Sequence, residues 1–247
     1  MDKQTYTIGD IHGELEKLKD CMSKVPLQKG DRLIFLGDYV DRGSDSYGVV
    51  EFLLKLKEEY ECIFIRGNHD QCFLESLFSN FYNILWNQGG IETLQSYIDA
   101  CAPEKNIIRK LSGYHTDFQF ENFPKTHFKF FKDLLPYYID ENNNLFIHGG
   151  YNRHYLITND VHNDLEVFLW DRDLWQSALS YGKMKNNTHP FKITGNYKEI
   201  YIGHTPTTYW DSKIPMIAAN IINVDTGCGK GGELTIYNIN TREFYQS

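Results

Sequence analysis

Five short stretches of this chain place acids, an amide and imidazoles between glycines: GDIHG at 9–13, GDYVDRG at 37–43, GNHD at 67–70, HGG at 148–150 and GHT at 203–205. Any one of them alone reads as a turn, and a single histidine after an apolar strand is more often a hydrogen-bonded core residue than a ligand. As a set they supply Asp10, His12, Asp38, Asp41, Asn68, His69, Asp70, His148 and His204, oxygen and imidazole donors. Such donors suit Mn, Fe, Zn or Co better than soft-metal chemistry. Two divalent cations in one site repel each other unless a carboxylate lies between them. A water shared by both drops in pKa toward neutrality and becomes a nucleophile.

The elements that must position these residues follow from periodicity. QTYTI at 4–8 reads as a strand, and Leu15, Leu18, Met22 and Val25 then recur at helical spacing. The same strand, loop, helix order returns in RLIFLGD with VVEFLLKLKEEY, and in CIFIRGNHD with QCFLESLF. Three such units predict a largely parallel sheet flanked by helices, with ligands gathered outside the carboxyl ends of the strands. From about 80 to 135 the pattern loosens into aromatic-rich, helical material. Further on, YYIDENNNLFIHGG predicts a hairpin turning at NNN, EIYIGHT a short strand, and INVDTG with ELTIYNI a terminal pair around a GCGKGG hairpin loop.

Composition narrows the function classes. With 33 acidic against 25 basic residues in 247, the net charge of −8 argues against a protein that blankets duplex phosphates. The five cysteines are scattered without a CxxC pair, so neither a disulfide framework nor a thiolate zinc knot is expected. A reducing, cytoplasmic setting fits. No apolar run approaches the ~18 residues of a membrane span, and a secretory leader is not evident.

The ordered blocks, with WDR at 170–172 and VDTG at 224–227, resemble the phosphoprotein phosphatase branch of the calcineurin-like metallophosphoesterases. Within that branch the tail DTGCGKGGELTIY looks most similar to bacterial and phage serine/threonine phosphatases and to diadenosine tetraphosphate hydrolases. The resemblance implies an α/β fold of four layers, α/β/β/α, forming a single catalytic domain over residues 1–247. It also implies two divalent metal ions, manganese foremost: Asp10 and His12 on the first, Asn68, His148 and His204 on the second, and Asp38 bridging both. By the same resemblance His69 is the leaving-group acid oriented by Asp41, while Arg42 and Arg172 clamp phosphate oxygens, a task that suits a planar, two-pronged donor. Asp70 stands where many relatives have Glu, which preserves the charge. Arg66, beside GNHD, reads as structural.

The expected activity is a phosphomonoesterase acting on phosphoserine, phosphothreonine or phosphotyrosine of a protein, or on a small phosphoester. The alternative is a hydrolase of dinucleoside polyphosphates. A binding module that has lost catalysis is disfavoured, since each ligand position holds a competent residue. The aromatic stretch from Phe78 to Phe131 reads as an apolar cap rather than a base-stacking platform. Other phosphate chemistries find no support: GCGKGG lacks P-loop spacing, Trp175 breaks an aspartyl-phosphate motif at VFLWDRDLW, and no Cys-x5-Arg element exists. His115, His127, His154, His162 and His189 have no comparable context, and a monomer is the default.

Overall fold

A computed structural model describes residues 3–79, 81, 84–110, 113–184 and 189–247. The three predicted units are present as β1 (Thr5–Ile8) with α1 (Leu15–Lys24), β2 (Arg32–Phe35) with α2 (Ser46–Glu59), and β3 (Glu61–Phe64) with α3 (Asn68–Leu77). Their strands lie parallel, with Thr7 opposite Ile34 and Ile34 opposite Ile63. Next come α4 (Gly90–Cys101), a strand pair β4 (Ile107–Lys110) and β5 (Gly113–Thr116), and α5 (Lys125–Lys132). The expected hairpin is β6 (Tyr137–Ile139) with β7 (Leu145–Ile147). Its turn is held by Asp140, which accepts from the backbone N–H of Asn142 and Asn144, while Asn143 takes φ of +61°. The chain continues through α6 (Leu165–Trp170), α7 (Asp173–Gly182), β8 (Ile200–Ile202), β9 (Met216–Ala218), β10 (Ile221–Asn223), β11 (Thr235–Asn238) and β12 (Phe244–Gln246).

Strand order is β12-β11-β1-β2-β3 in one five-stranded sheet and β6-β7-β8-β10-β9 in the other. Alternation along each strand builds three apolar layers. Leu33 and Phe35 face the core under α1 to α5, and Leu145, Ile147, Ile200 and Ile202 face that under α6 and α7. Their in-between neighbours Ile34, Leu36, Phe146, Tyr201 and Ile222 meet in a third layer between the sheets. This is the α/β/β/α sandwich the resemblance implied. Period-2 side chains make β2, β7, β8 and β10 apolar on both faces.

Two expectations need correction. INVDTG and ELTIYNI are not a pair: β10 belongs to the second sheet and β11 to the first, so GCGKGG crosses between sheets rather than closing a hairpin. Beyond helices, the stretch from 80 to 135 also holds the β4–β5 ribbon, whose alternation is masked because it lies largely exposed. In the aromatic run from Phe78 to Phe131, the side chains of Phe81, Tyr97, Phe118, Phe123, Phe130 and Phe131 are buried together as a cap requires, while Phe78 and Phe120 stay exposed and stack on each other. Residues 80, 82, 83, 111 and 112 of the stretch lie outside the described residues.

Candidate metal centre and active site

All five glycine-flanked loops leave the carboxyl ends of β1, β2, β3, β7 and β8, and they meet at one edge. The first two are laced together: the N–H groups of Ile11 and His12 donate to the Asp38 carbonyl at 3.0 and 2.8 Å, and the Gly43 N–H donates to the His12 carbonyl at 2.8 Å. These contacts hold His12, Asp38, Asp41 and Arg42 at φ of +52°, +54°, +71° and +73°, and His204 sits at +65°. Left-handed backbone costs a non-glycine residue about 1 kcal/mol or more, so the loops are strained into place by their surroundings.

Asp38 is central. Its Oδ2 is 3.5 Å from His12 Nε2 and its Oδ1 is 3.4 Å from His148 Nε2. On the first side Asp10 Oδ2 lies 3.8 Å from His12 Nε2 and both Asp10 oxygens accept from the His204 N–H. On the second side Asn68 Oδ1 is 3.0 Å from His148 Nε2 and 2.9 Å from His204 Nδ1. His12 Nδ1 engages the Val40 carbonyl at 2.9 Å and His148 Nδ1 the Leu36 carbonyl at 2.7 Å. A ring whose Nδ1–H is donated to a carbonyl presents its Nε2 lone pair to the site.

That arrangement tests whether a cation fits. His148 Nε2, Asn68 Oδ1 and Asp38 Oδ1 converge as electron-pair donors with no proton between them, which is the surrounding a cation needs. Burial lowers the pKa of His12 and His148 and pushes His204 down to about 2, keeping all three rings in the neutral, ligating form. Burial, and then the carboxylates of Asp225 and Asp38, push Asp10 well above the ordinary carboxylate range. Buried acids so close to one another call for positive charge. The residues present therefore fit a pair of divalent cations.

His69 joins the cluster without pointing at its centre alone. Its Nδ1 pairs with Asp41 Oδ2 at 2.7 Å and its backbone N–H donates to Asp38 Oδ1 at 2.9 Å. Burial opposes a charged ring here, yet Asp38 and the hydrogen-bonded Asp41 outweigh it and raise the His69 pKa. His69 also lies within ligand reach of His12 and Asp38, so proximity by itself does not separate acid from ligand. Arg42 spans the two rings, its guanidinium nitrogens lying against His12 Nε2 and, at 2.9 Å, against His69 Nε2. Arg172 approaches from the second sheet, donating to Thr205 Oγ1 at 3.1 Å next to His204.

Four residues take positions that the sequence reading did not assign. Asp70 is fully buried and accepts from the N–H groups of Asp38, Tyr39 and Gly67, fixing the loop that carries Asp38. Thr93 of α4 bonds Asp41. Asp225 of VDTG is buried beside Asp10. Gly229 of GCGKGG lies against the His12 ring, where an added Cβ would come within 2.6 Å of it. The VDTG and GCGKGG motifs were visible signals without a role; Thr93 gave none. Arg66 is structural as expected, donating to the carbonyls of Phe131, Lys132 and Leu134 at the end of α5. The cleft of about 860 Å³ lined by Arg153, Phe191, Tyr197, Lys198 and Asn220 lies at the amino ends of β8 and β10, away from the metal centre. No described helix is long and apolar enough to cross a membrane.

Comparison with known proteins agrees with this geometry. The chain is 27% identical to an asymmetrical bis(5'-nucleosyl)-tetraphosphatase of Oceanobacillus iheyensis, over 96% of this chain and 89% of that protein. It is 29% identical to the enzyme of the same name from a Geobacillus species, over 93% and 88%. A solved structure named for a diadenosine tetraphosphatase superposes with a TM-score of 0.61 at 18% identity, covering 99% of this chain and 93% of its own, which shows the shared fold. Residues 5–225 match the profile of the calcineurin-like phosphoesterases, and the chain belongs to that family of metal-dependent phosphoric ester hydrolases.

Proposed function

We propose that this chain, with residues 1–247 acting as one catalytic unit, hydrolyses dinucleoside polyphosphates of the diadenosine tetraphosphate class. The observation that carries this reading is the likeness along nearly the whole chain to proteins named as bis(5'-nucleosyl)-tetraphosphatases. It reverses the order of the two sequence expectations and puts the protein phosphatase second.

In this reading Asp10, His12 and Asp38 hold one divalent cation, and Asp38, Asn68, His148 and His204 hold the other. Bound there, the cations supply Lewis acidity and an acidified water for attack on phosphorus. Arg42 and Arg172 receive phosphate oxygens from opposite sides of the cluster. His69, held by Asp41, delivers a proton to the departing oxygen. A polyphosphate leaving group is already a weak base, so this last step matters less for an anhydride than for an alkyl ester.

The test is a side-by-side kcat/KM comparison, with Mn²⁺ supplied, of diadenosine tetraphosphate against phosphoserine, phosphothreonine and phosphotyrosine peptides. A preference for the dinucleotide of ~10³-fold, about 4 kcal/mol in transition-state binding, is expected. An equal preference for any of the peptides overturns the assignment.

A further inference from the structure

Asp41 is an awkward residue to hold. It is 1% exposed, sits at φ of +71°, and uses only Oδ2 on His69. Its other oxygen and its own N–H both meet one side chain from a distant helix. Thr93, 0% exposed on α4, accepts from the Asp41 N–H at 2.7 Å and donates its hydroxyl proton to Asp41 Oδ1 at 2.8 Å. A threonine hydroxyl has one proton and two lone pairs. With the proton on Asp41 and one lone pair taken by the Asp41 N–H, the remaining lone pair faces Ser46 Oγ at 3.0 Å, which must therefore be the donor. Every valence of Thr93 Oγ1 is then committed in a fixed direction.

α4 itself is anchored against the same loop. The Arg42 N–H donates to the Gly89 carbonyl at 3.3 Å, and Gly89, at φ of +105°, approaches so closely that an added Cβ would fall 1.9 Å from the Arg42 nitrogen. One turn further along the helix, the Tyr97 hydroxyl meets His127 Nδ1 at 2.9 Å. The residue at 93 thus has little freedom to drift relative to the Asp41 loop.

We propose that Thr93 is a positioning residue for the Asp41–His69 pair: its hydroxyl fixes both the backbone and the carboxylate of Asp41, and through them the ring that serves the leaving group. The inference rests on the reading of His69 as the leaving-group acid. It gives the aromatic cap a task beyond burial, since the cap carries the helix that completes the acid's support.

The experiment uses the Mn²⁺-loaded full chain, Thr93→Val, Thr93→Ser and His69→Asn, and a series of aryl phosphates whose phenols differ in acidity. Thr93→Val should lower kcat by ~10-fold or more on phenyl phosphate and by less than ~3-fold on 2,4-dinitrophenyl phosphate, with KM and bound metal unchanged. Thr93→Ser, which keeps the hydroxyl, should restore kcat to within ~3-fold on every ester. Loss that is equal across the series, or a serine variant as impaired as the valine one, overturns the role of Thr93. If the valine variant does not fold, Thr93→Cys, similar in size with a feeble donor, is read by the same criteria. A steep leaving-group dependence in His69→Asn with none in Thr93→Val refutes only this inference; a flat dependence in His69→Asn refutes the acid assignment beneath it.

Discussion

Gly229 lies against the side chain of His12: a methyl group placed on its α-carbon would sit 2.6 Å from the His12 Cβ, Cγ and Cδ2. The contact joins the loop between the two sheets to a proposed ligand of the first cation, and Lys17 holds that loop by donating to the carbonyls of Cys228 and Gly232. Gly229→Ala should displace the His12 ring and weaken one cation more than the other. A ~10-fold or greater loss of affinity at a single site, read by calorimetric Mn²⁺ titration, is the expected result; two sites weakened equally would show that the contact acts on the whole centre.

Asp38 faces His12 with one oxygen and His148 with the other. Asp38→Asn should therefore lower occupancy at both sites together, and chelation of the parent protein should abolish hydrolysis, with Mn²⁺ restoring it. Metal analysis by mass spectrometry alongside turnover checks this. Full turnover by protein verified as metal-free would sink the dinuclear reading.

The anhydride and the ester place different demands on His69. His69→Asn should cost ~10²-fold in kcat on phenyl phosphate and clearly less on diadenosine tetraphosphate, whose leaving group needs little proton assistance. Parallel steady-state assays on both substrates decide it.

Asp70 accepts three buried N–H bonds, from Asp38 and Gly67 on Oδ2 and from Tyr39 on Oδ1. Asp70→Asn turns an amide donor toward at least one of those N–H groups. Leaving a buried donor unpaired costs ~1–3 kcal/mol, so the midpoint of urea unfolding should fall accordingly. An unchanged midpoint would mean that the loop holds without this carboxylate.

His127 gives a pH dependence of stability remote from the metals. The ring is 0% exposed, with Nδ1 on the Tyr97 hydroxyl and Nε2 on Glu51 at 2.8 Å, and it stacks on Tyr47. Burial lowers its pKa despite the opposing pull of Glu51. Below the unfolded value of ~6.5 the unfolded chain binds the proton more readily, so this group's contribution to stability declines as pH falls from there toward the lowered folded pKa. The Tm of the parent protein minus that of His127→Gln should shrink between about pH 7 and pH 5. A difference that grows on acidification would contradict the sign.

The candidate site was legible because its Asp, Asn and His stand beside glycines just past short apolar strands, and parallel strands deliver such ends to one edge. Thr93 was hidden for the opposite reason. It sits inside a helix whose contact with Asp41 arises from how α4 packs, and nothing in ETLQ marks it. The sheet change between β10 and β11 escaped too, since ELTIYNI alternates in the same way whichever sheet it joins. As for β4 and β5, they bury no face, so no apolar rhythm announces them.

β1 is a central strand, yet its two neighbours come from opposite parts of the chain: β2 at 32–35 and β11 at 235–238. During synthesis the sheet's first strand must wait, with one edge unpaired, until β11 has emerged. The same delay governs Asp10, whose carboxylate receives the N–H of His204, 194 positions away. Catalytic competence is thus a late event in the life of the nascent chain, and a ribosome-bound fragment ending before β8 would lack His204 while already exposing an open strand edge that chaperones or a second fragment could pair.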